Sequence, residues 1–164
     1  MRYAFCPTCG HALSARPLGD DGLVPWCDVC SRPWFDTFST CVITAVCNAA
    51  GEVLLQRERR RPERDVLVAG YMQPGESAED AALREIREET GLTAASLHYM
   101  GSWPHESGDM LMLGFAAQAE GMPREDSCEI FSARWVPLSQ AIATLREGSI
   151  GQKLLIALRG QMPG

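Results

Sequence analysis

Cys41-Val42-Ile43-Thr44-Ala45-Val46-Cys47 is an almost unbroken apolar run. Asn48-Ala49-Ala50-Gly51 follows, and then Val53-Leu54-Leu55. Two apolar runs around a turn-rich tetrad predict two strands joined as a hairpin. Val66-Leu67-Val68 and Arg134-Trp135-Val136 read as short strands, and residues 97–103 and 110–119 as longer ones. Residues 78–90 carry a helical stripe of Ala82, Leu83, Ile86 and Thr90. Residues 139–145 and 149–158 also read as helices, each opening at a serine suited to capping. Strands interleaved with helices predict an α/β/α sandwich with a mixed sheet.

The most specific chemistry lies in residues 70–92, GYMQPGESAEDAALREIREETGL. Gly70, Glu76, Arg84-Glu85-Ile86, Glu88-Glu89 and Gly91-Leu92 fill the pattern G-x5-E-x7-R-E-U-x-E-E-x-G-U, where U is aliphatic. At average residue usage, chance would produce it on the order of once in a billion positions. Ser77 with Asp80 fits a capping box, so a helix is expected from Ala78, and Gly91 supplies the left-handed residue that ends it. Glu85, Glu88 and Glu89 stand at i, i+3 and i+4 and are expected on one face. Arg84 lies one turn before Glu88 and is placed to orient it. Glu76, in the preceding loop, is close enough to join the cluster. Clustered carboxylates repel unless a cation neutralises them. Mg²⁺ or Mn²⁺, held by carboxylates and phosphate oxygens, would suit hydrolysis of a diphosphate. The bland alternative is a solvated acidic helix face.

Composition narrows the class. Hydrophobic residues make up 46% and charged residues 22%, ordinary for a globular chain. No apolar run approaches a membrane span, and the opening MRYAFCPTCG lacks a signal peptide's apolar core, so a cytoplasmic location is expected. A net charge of −6 argues against bulk nucleic-acid binding. Among seven cysteines, Cys6-x2-Cys9 and Cys27-x2-Cys30 have the spacing of a structural Cys₄ zinc ribbon. Disulfide pairing is disfavoured in a reducing compartment. Cys41 and Cys47 read as buried core thiols. The basic run from Arg57 to Arg64 reads as a solvated loop with internal ion pairs rather than a substrate-phosphate contact, and His105 as a surface side chain rather than a proton-transfer group.

The 70–92 pattern is that of the Nudix box, and the chain resembles a Nudix hydrolase. A four-cysteine ribbon ahead of such a domain is similar to the NADH pyrophosphatase branch of that family. The resemblance implies a ribbon over residues 1–36 and a Nudix domain over 37–164. It also implies a homodimer and a small-molecule nucleotide substrate, a dinucleotide such as NAD(H) first, with ADP-ribose, FAD or a capped RNA end also open. In that branch the aromatic after the first box glycine stacks on substrate, which points to Tyr71 beside Gly70. A later glutamate in an E-x-x-x-A-x-W pattern completes the metal site, which points to Glu129 with Ala133 and Trp135. The S-I-A-x-x-L segment beside the substrate corresponds to residues 149–154, with Gly151 at the alanine position. The proton acceptor is then Glu88 or Glu129. The branch's S-Q-P-W-P-F-P-x-S signature survives here only as Ser102 and Pro104 within residues 102–110, with His105, Ser107 and Met110 replacing its tryptophan, phenylalanine and final serine. A non-catalytic nucleotide sensor and a nucleic-acid-binding ribbon are the rival classes. The intact acidic set argues against the first, and the acidic balance of the ribbon against the second.

Overall fold

The computed structural model describes residues 3–124 and 128–161. The chain divides into two compact units, residues 1–38 and 39–164. In the first, β1 (Ser14–Pro17), β2 (Leu23–Cys27) and β3 (Arg32–Pro33) form a small antiparallel sheet. Its buried side chains are Cys6, Val24, Pro25 and Cys27. That is too little apolar surface to hold some thirty-odd residues in one fold without a cross-link or a metal.

The second unit is built on a seven-stranded mixed sheet. Its axis is β4 (Ser39–Cys47) running parallel to β9 (Met110–Ala119), in register from Ser39↔Met110 to Cys47↔Gln118. β8 (Ala94–Pro104) pairs antiparallel with β9 and forms that edge. Two strands share the other side of β4. β7 (Val68–Tyr71) takes Cys41 to Thr44, and β5 (Glu52–Glu58) touches it only at Cys47↔Val53. β5 turns away to pair with β6 (Arg61–Val66) and β10 (Ile130–Pro137). The expected hairpin therefore holds at its turn alone and then splays. Both runs are apolar on both faces, so each needs two flanking partners, and a simple ribbon would leave an apolar edge open.

Strand alternation sorts the core. Ile43, Ala45 and Cys47 of β4, with Val53 and Leu55 of β5, face α2 (Leu138–Thr144) and α3 (Ile150–Gln161) through Ala141, Leu145, Leu154 and Leu155. Val42 and Val46, with Leu54, face the other side, where Ala81, Ala82 and Ile86 pack. The result is the α/β/α sandwich that the pattern predicted.

Four local expectations are corrected. The box helix is α-helical only over α1 (Ala78–Glu85) and continues as a π-helical turn, Ile86–Thr90, before Gly91 closes it at φ 73°. The buried stripe runs through Ala81 and Ala82, with Leu83 half-buried, because the sheet contacts the helix at i, i+4 and i+8. The arginine-rich run is a β-ribbon rather than a loop. Asp65 on β6 binds Arg57 on β5 at 2.9 Å and Arg134 on β10 at 2.7 and 2.8 Å, fastening three strands together. Finally, α2 starts at Leu138 after Pro137, without a serine side-chain cap, whereas Ser149 does cap α3 by accepting from Gln152 N–H at 3.2 Å.

At Gly114 on β9 an added Cβ would lie 2.4 Å from Trp103 Cζ3 and 3.3 Å from Leu154 Cδ1. Gly114→Ala is expected to destabilise the domain by about 1–3 kcal/mol. Urea unfolding should show a lower midpoint at unchanged slope.

Candidate active site

Ser77 opens α1 as expected, its hydroxyl accepting from Asp80 N–H at 3.1 Å. The helix then presents Arg84 to a ring of acceptors. Its guanidinium donates from Nε and Nη2 to the two oxygens of Glu76 (2.7 and 2.9 Å). Nη1 donates to Glu85 (2.6 Å) and Glu88 (3.0 Å), and Nη2 also to the Tyr71 carbonyl (3.0 Å). Glu76 also accepts from Gln73 N–H at 3.0 Å. These bonds, Arg84's first, hold the Glu76 carboxyl down to about 2.

Glu85 and Glu89 are each only 9% exposed, whereas the Glu88 side chain is 59% exposed. The three therefore form a ridge graded from buried to open rather than one solvated face. Room for Glu85 comes from Gly70 on β7, where a Cβ would fall 1.9 Å from the Glu85 carboxylate. Burial pushes Glu89 up to about 8, and the charges of Glu85 and Glu129 add to the rise. Glu129 immediately precedes β10. The π-turn that carries Glu88 and Glu89 is a feature frequently found at functional sites.

Tyr71 is 60% exposed at the end of β7, across from Cys41. Gly151 lies in the first turn of α3 with Leu145 and Leu67 close against it. The altered signature segment forms the β8–β9 turn, where His105 is exposed with Nδ1 3.1 Å from the Ser107 hydroxyl and Glu106 pairs with Arg146 at 3.2 Å. Sequence reasoning missed Gln56 of β5, whose amide donates to Glu89 in a buried contact. Only strand alternation could have hinted at it, as a polar residue on the face that carries Leu54.

In the other unit, Cys6, Cys9, Cys27 and Cys30 bring their sulfurs within 4.8 Å of one another. Among the described residues they are the one set of three or more His, Cys, Asp or Glu side chains gathered so closely. The box glutamates instead stand apart on Arg84 and Gln56. Burial opposes ionisation of Cys6, but backbone N–H groups of Cys9 and Thr8 bring its thiol down to about 6; Cys30 is pushed up to about 12, first by its bond with Cys9. Four thiolates cannot coexist there without a cation, which fits a tetrahedral thiolate metal site. Cys41 and Cys47 are buried core thiols, each pushed up to about 11 by burial.

A family model described as NUDIX domain matches residues 37–157. The chain is 30% identical over 153 residues to the NAD-capped RNA hydrolase NudC of Photobacterium profundum, covering 93% of this chain and 56% of that protein. It is 36% identical over 157 residues to NudC of Pseudomonas aeruginosa, covering 92% and 54%. To the human NAD-capped RNA hydrolase NUDT12 it is 32% identical over 155 residues, covering 90% and 34%. The chain thus spans about half the length of the bacterial relatives it matches. Among solved structures, a NUDIX hydrolase from Nitrosomonas europaea aligns at TM-score 0.70 and 17% identity, over 99% of this chain and 96% of that one. The NUDIX domain of Shewanella oneidensis NrtR, complexed with ADP ribose, aligns at 0.67 and 16%, over 79% and 91%. At those identities the likeness is one of fold.

The raised Glu89 carboxyl links stability to pH in chelated, metal-free protein. Its folded value, about 8, lies above the ordinary carboxyl value of 4.5, so its contribution is full below about pH 4.5 and is lost as pH rises through 8. Glu89→Gln is therefore expected to gain on the wild type across that window, by up to about 1.4 kcal/mol per pH unit. Thermal melts of both proteins in chelator from pH 5 to 8.5 would measure the gap.

Proposed function

This chain belongs to the Nudix family, and on that footing we propose that it is a divalent-metal-dependent pyrophosphohydrolase. Its substrate is a nucleoside diphosphate derivative, first of all a dinucleotide of the NAD(H) type. The observation that carries this reading is the graded glutamate ridge, fixed by Arg84 and Gly70 and standing beside the exposed Tyr71. The names of the relatives, NAD-capped RNA hydrolases, support a dinucleotide or a dinucleotide-capped RNA end. The ADP ribose bound by the Shewanella oneidensis domain keeps ADP-ribose as the alternative within the same fold.

The donor set suits Mg²⁺ or Mn²⁺: hard carboxylate oxygens, two of them largely withdrawn from water and one open. Glu85, Glu88, Glu89 and Glu129 would hold the metal, which when bound polarises phosphoryl oxygens and makes a coordinated water nucleophilic. Arg84, donating to both, keeps Glu85 and Glu88 from being driven apart by their own repulsion. Glu76 has both oxygens on Arg84, which supports a role as that arginine's anchor alongside the assisting metal role expected for it. Glu88, whose side chain is largely open to solvent, and Glu129 are the two groups we read as taking the water's proton. Tyr71 offers a flat surface to a base. Gly70 lets the strand and Glu85 approach each other without a side chain between them, and Gly151, at the alanine position of the branch's segment, would lie beside the substrate.

We assign zinc to the four ribbon thiols, in a structural role. A homodimer in the cytoplasm completes the reading. No described helix is long and apolar enough to cross a membrane.

A nucleotide panel of NAD⁺, NADH, ADP-ribose, FAD and NAD-capped RNA, assayed with Mg²⁺ or Mn²⁺ and read by mass spectrometry, should show mononucleotide products for at least one member. Glu88→Gln should lower that turnover by about a hundredfold or more with the melting curve unchanged. Near-normal activity of the variant would refute the assignment. Stripping zinc with a strong thiophilic chelator should release one metal per chain and abolish the structure of residues 1–38 while the second unit's unfolding transition persists. Intact signals from the ribbon in metal-free protein would count against the zinc assignment.

A further inference from the structure

Glu89 is the one box carboxylate whose side-chain partner lies outside the box. Arg84 serves Glu76, Glu85 and Glu88, while Glu89 is held by Gln56 Nε2. Gln56 is 1% exposed and stands two residues after the fully buried Leu54, on the same face of β5. It pairs with Val66 on one side and Ala133 on the other, beside an irregularity in the β5–β6 register. Its Oε1 is buried and has no partner among the described residues.

A glutamine with half its amide unsatisfied is a poor choice for packing, and an apolar residue like Leu54 would suit that position better. An amide does supply something that neither leucine nor a cation can. It donates to the carboxylate without setting a positive charge of its own beside it, so nothing there repels an incoming cation. Holding Oε2 of Glu89 also fixes the carboxylate plane and leaves Oε1 as the oxygen to be presented. We infer that Gln56 is a positioning residue that orients Glu89 as a ligand for the divalent cation. This rests on the hydrolase reading above, and partners of this kind around metal ligands commonly set affinity by about 10–100-fold.

The test compares wild type, Gln56→Met (similar in volume, with no amide) and Gln56→Asn (an amide one methylene too short to reach Glu89). Mn²⁺ dissociation constants are measured by electron paramagnetic resonance on the free protein, with kcat and KM for the best nucleotide measured separately. Both variants are expected to bind Mn²⁺ about 10–100-fold more weakly. Nucleotide KM at saturating Mn²⁺ should stay unchanged, and lost kcat should recover in part as Mn²⁺ is raised. Chelated Gln56→Met loses the donor to buried Glu89 and is expected to melt somewhat below the wild type, and if it fails to fold, Gln56→Asn carries the comparison alone. Wild-type Mn²⁺ affinity in a folded variant, with or without lower stability, would overturn the inference. A wild-type protein that binds Mn²⁺ but cleaves no diphosphate would overturn the hydrolase reading alone, since the binding comparison would still decide the role of Gln56.

Discussion

One guanidinium, shared among three carboxylates and a carbonyl, organises the functional end of the Nudix domain. Arg84 joins the loop before α1 through Glu76, the helix through Glu85 and Glu88, and the end of β7 through the Tyr71 carbonyl. Three like charges so near one another would otherwise spread or take up protons. Planar, multidentate donation is what arginine offers here and lysine does not. Its fit depends in turn on Gly70, because any side chain there would evict Glu85 from beneath the strand. Electrostatics and close packing are thus two halves of one constraint.

The parts of this site that were legible in the sequence are those whose chemistry is local along the chain. Ser77, Asp80 and Gly91 marked the helix because capping operates over three or four residues. The spacing of Arg84 and Glu88 implied their contact for the same reason. The two cysteine knuckles were legible because ligand spacing is a short-range geometric requirement, and the sulfurs do converge.

What escaped was settled by partners far along the chain. The π-turn leaves no mark in the pattern of apolar residues. The splaying of β5 from β4 follows from competition with β7 for a single edge, which neither apolar run reveals alone. The arginine-rich ribbon looked like a loop because Asp65, its buried anchor, draws one of its partners from β10, well away in sequence. Gln56 looked like an ordinary polar residue in a strand until Glu89 was found against it. The contrast between three carboxylates on a charged donor and one on a neutral donor exists only in three dimensions.

The parallel pairing of β4 with β9 bears on how the domain is born. Strands from near its beginning and well toward its end must meet before the sheet has an axis, and parallel partners cannot be supplied by a local turn. The ribbon, β5 to β7 and the whole acidic helix leave the ribosome before β9 does. During synthesis the ridge of glutamates must therefore wait, its apolar underside unclosed, for a late strand to arrive. Slow, non-local assembly of this kind leaves the nascent domain open for longer, and it is to such open intermediates that chaperones bind.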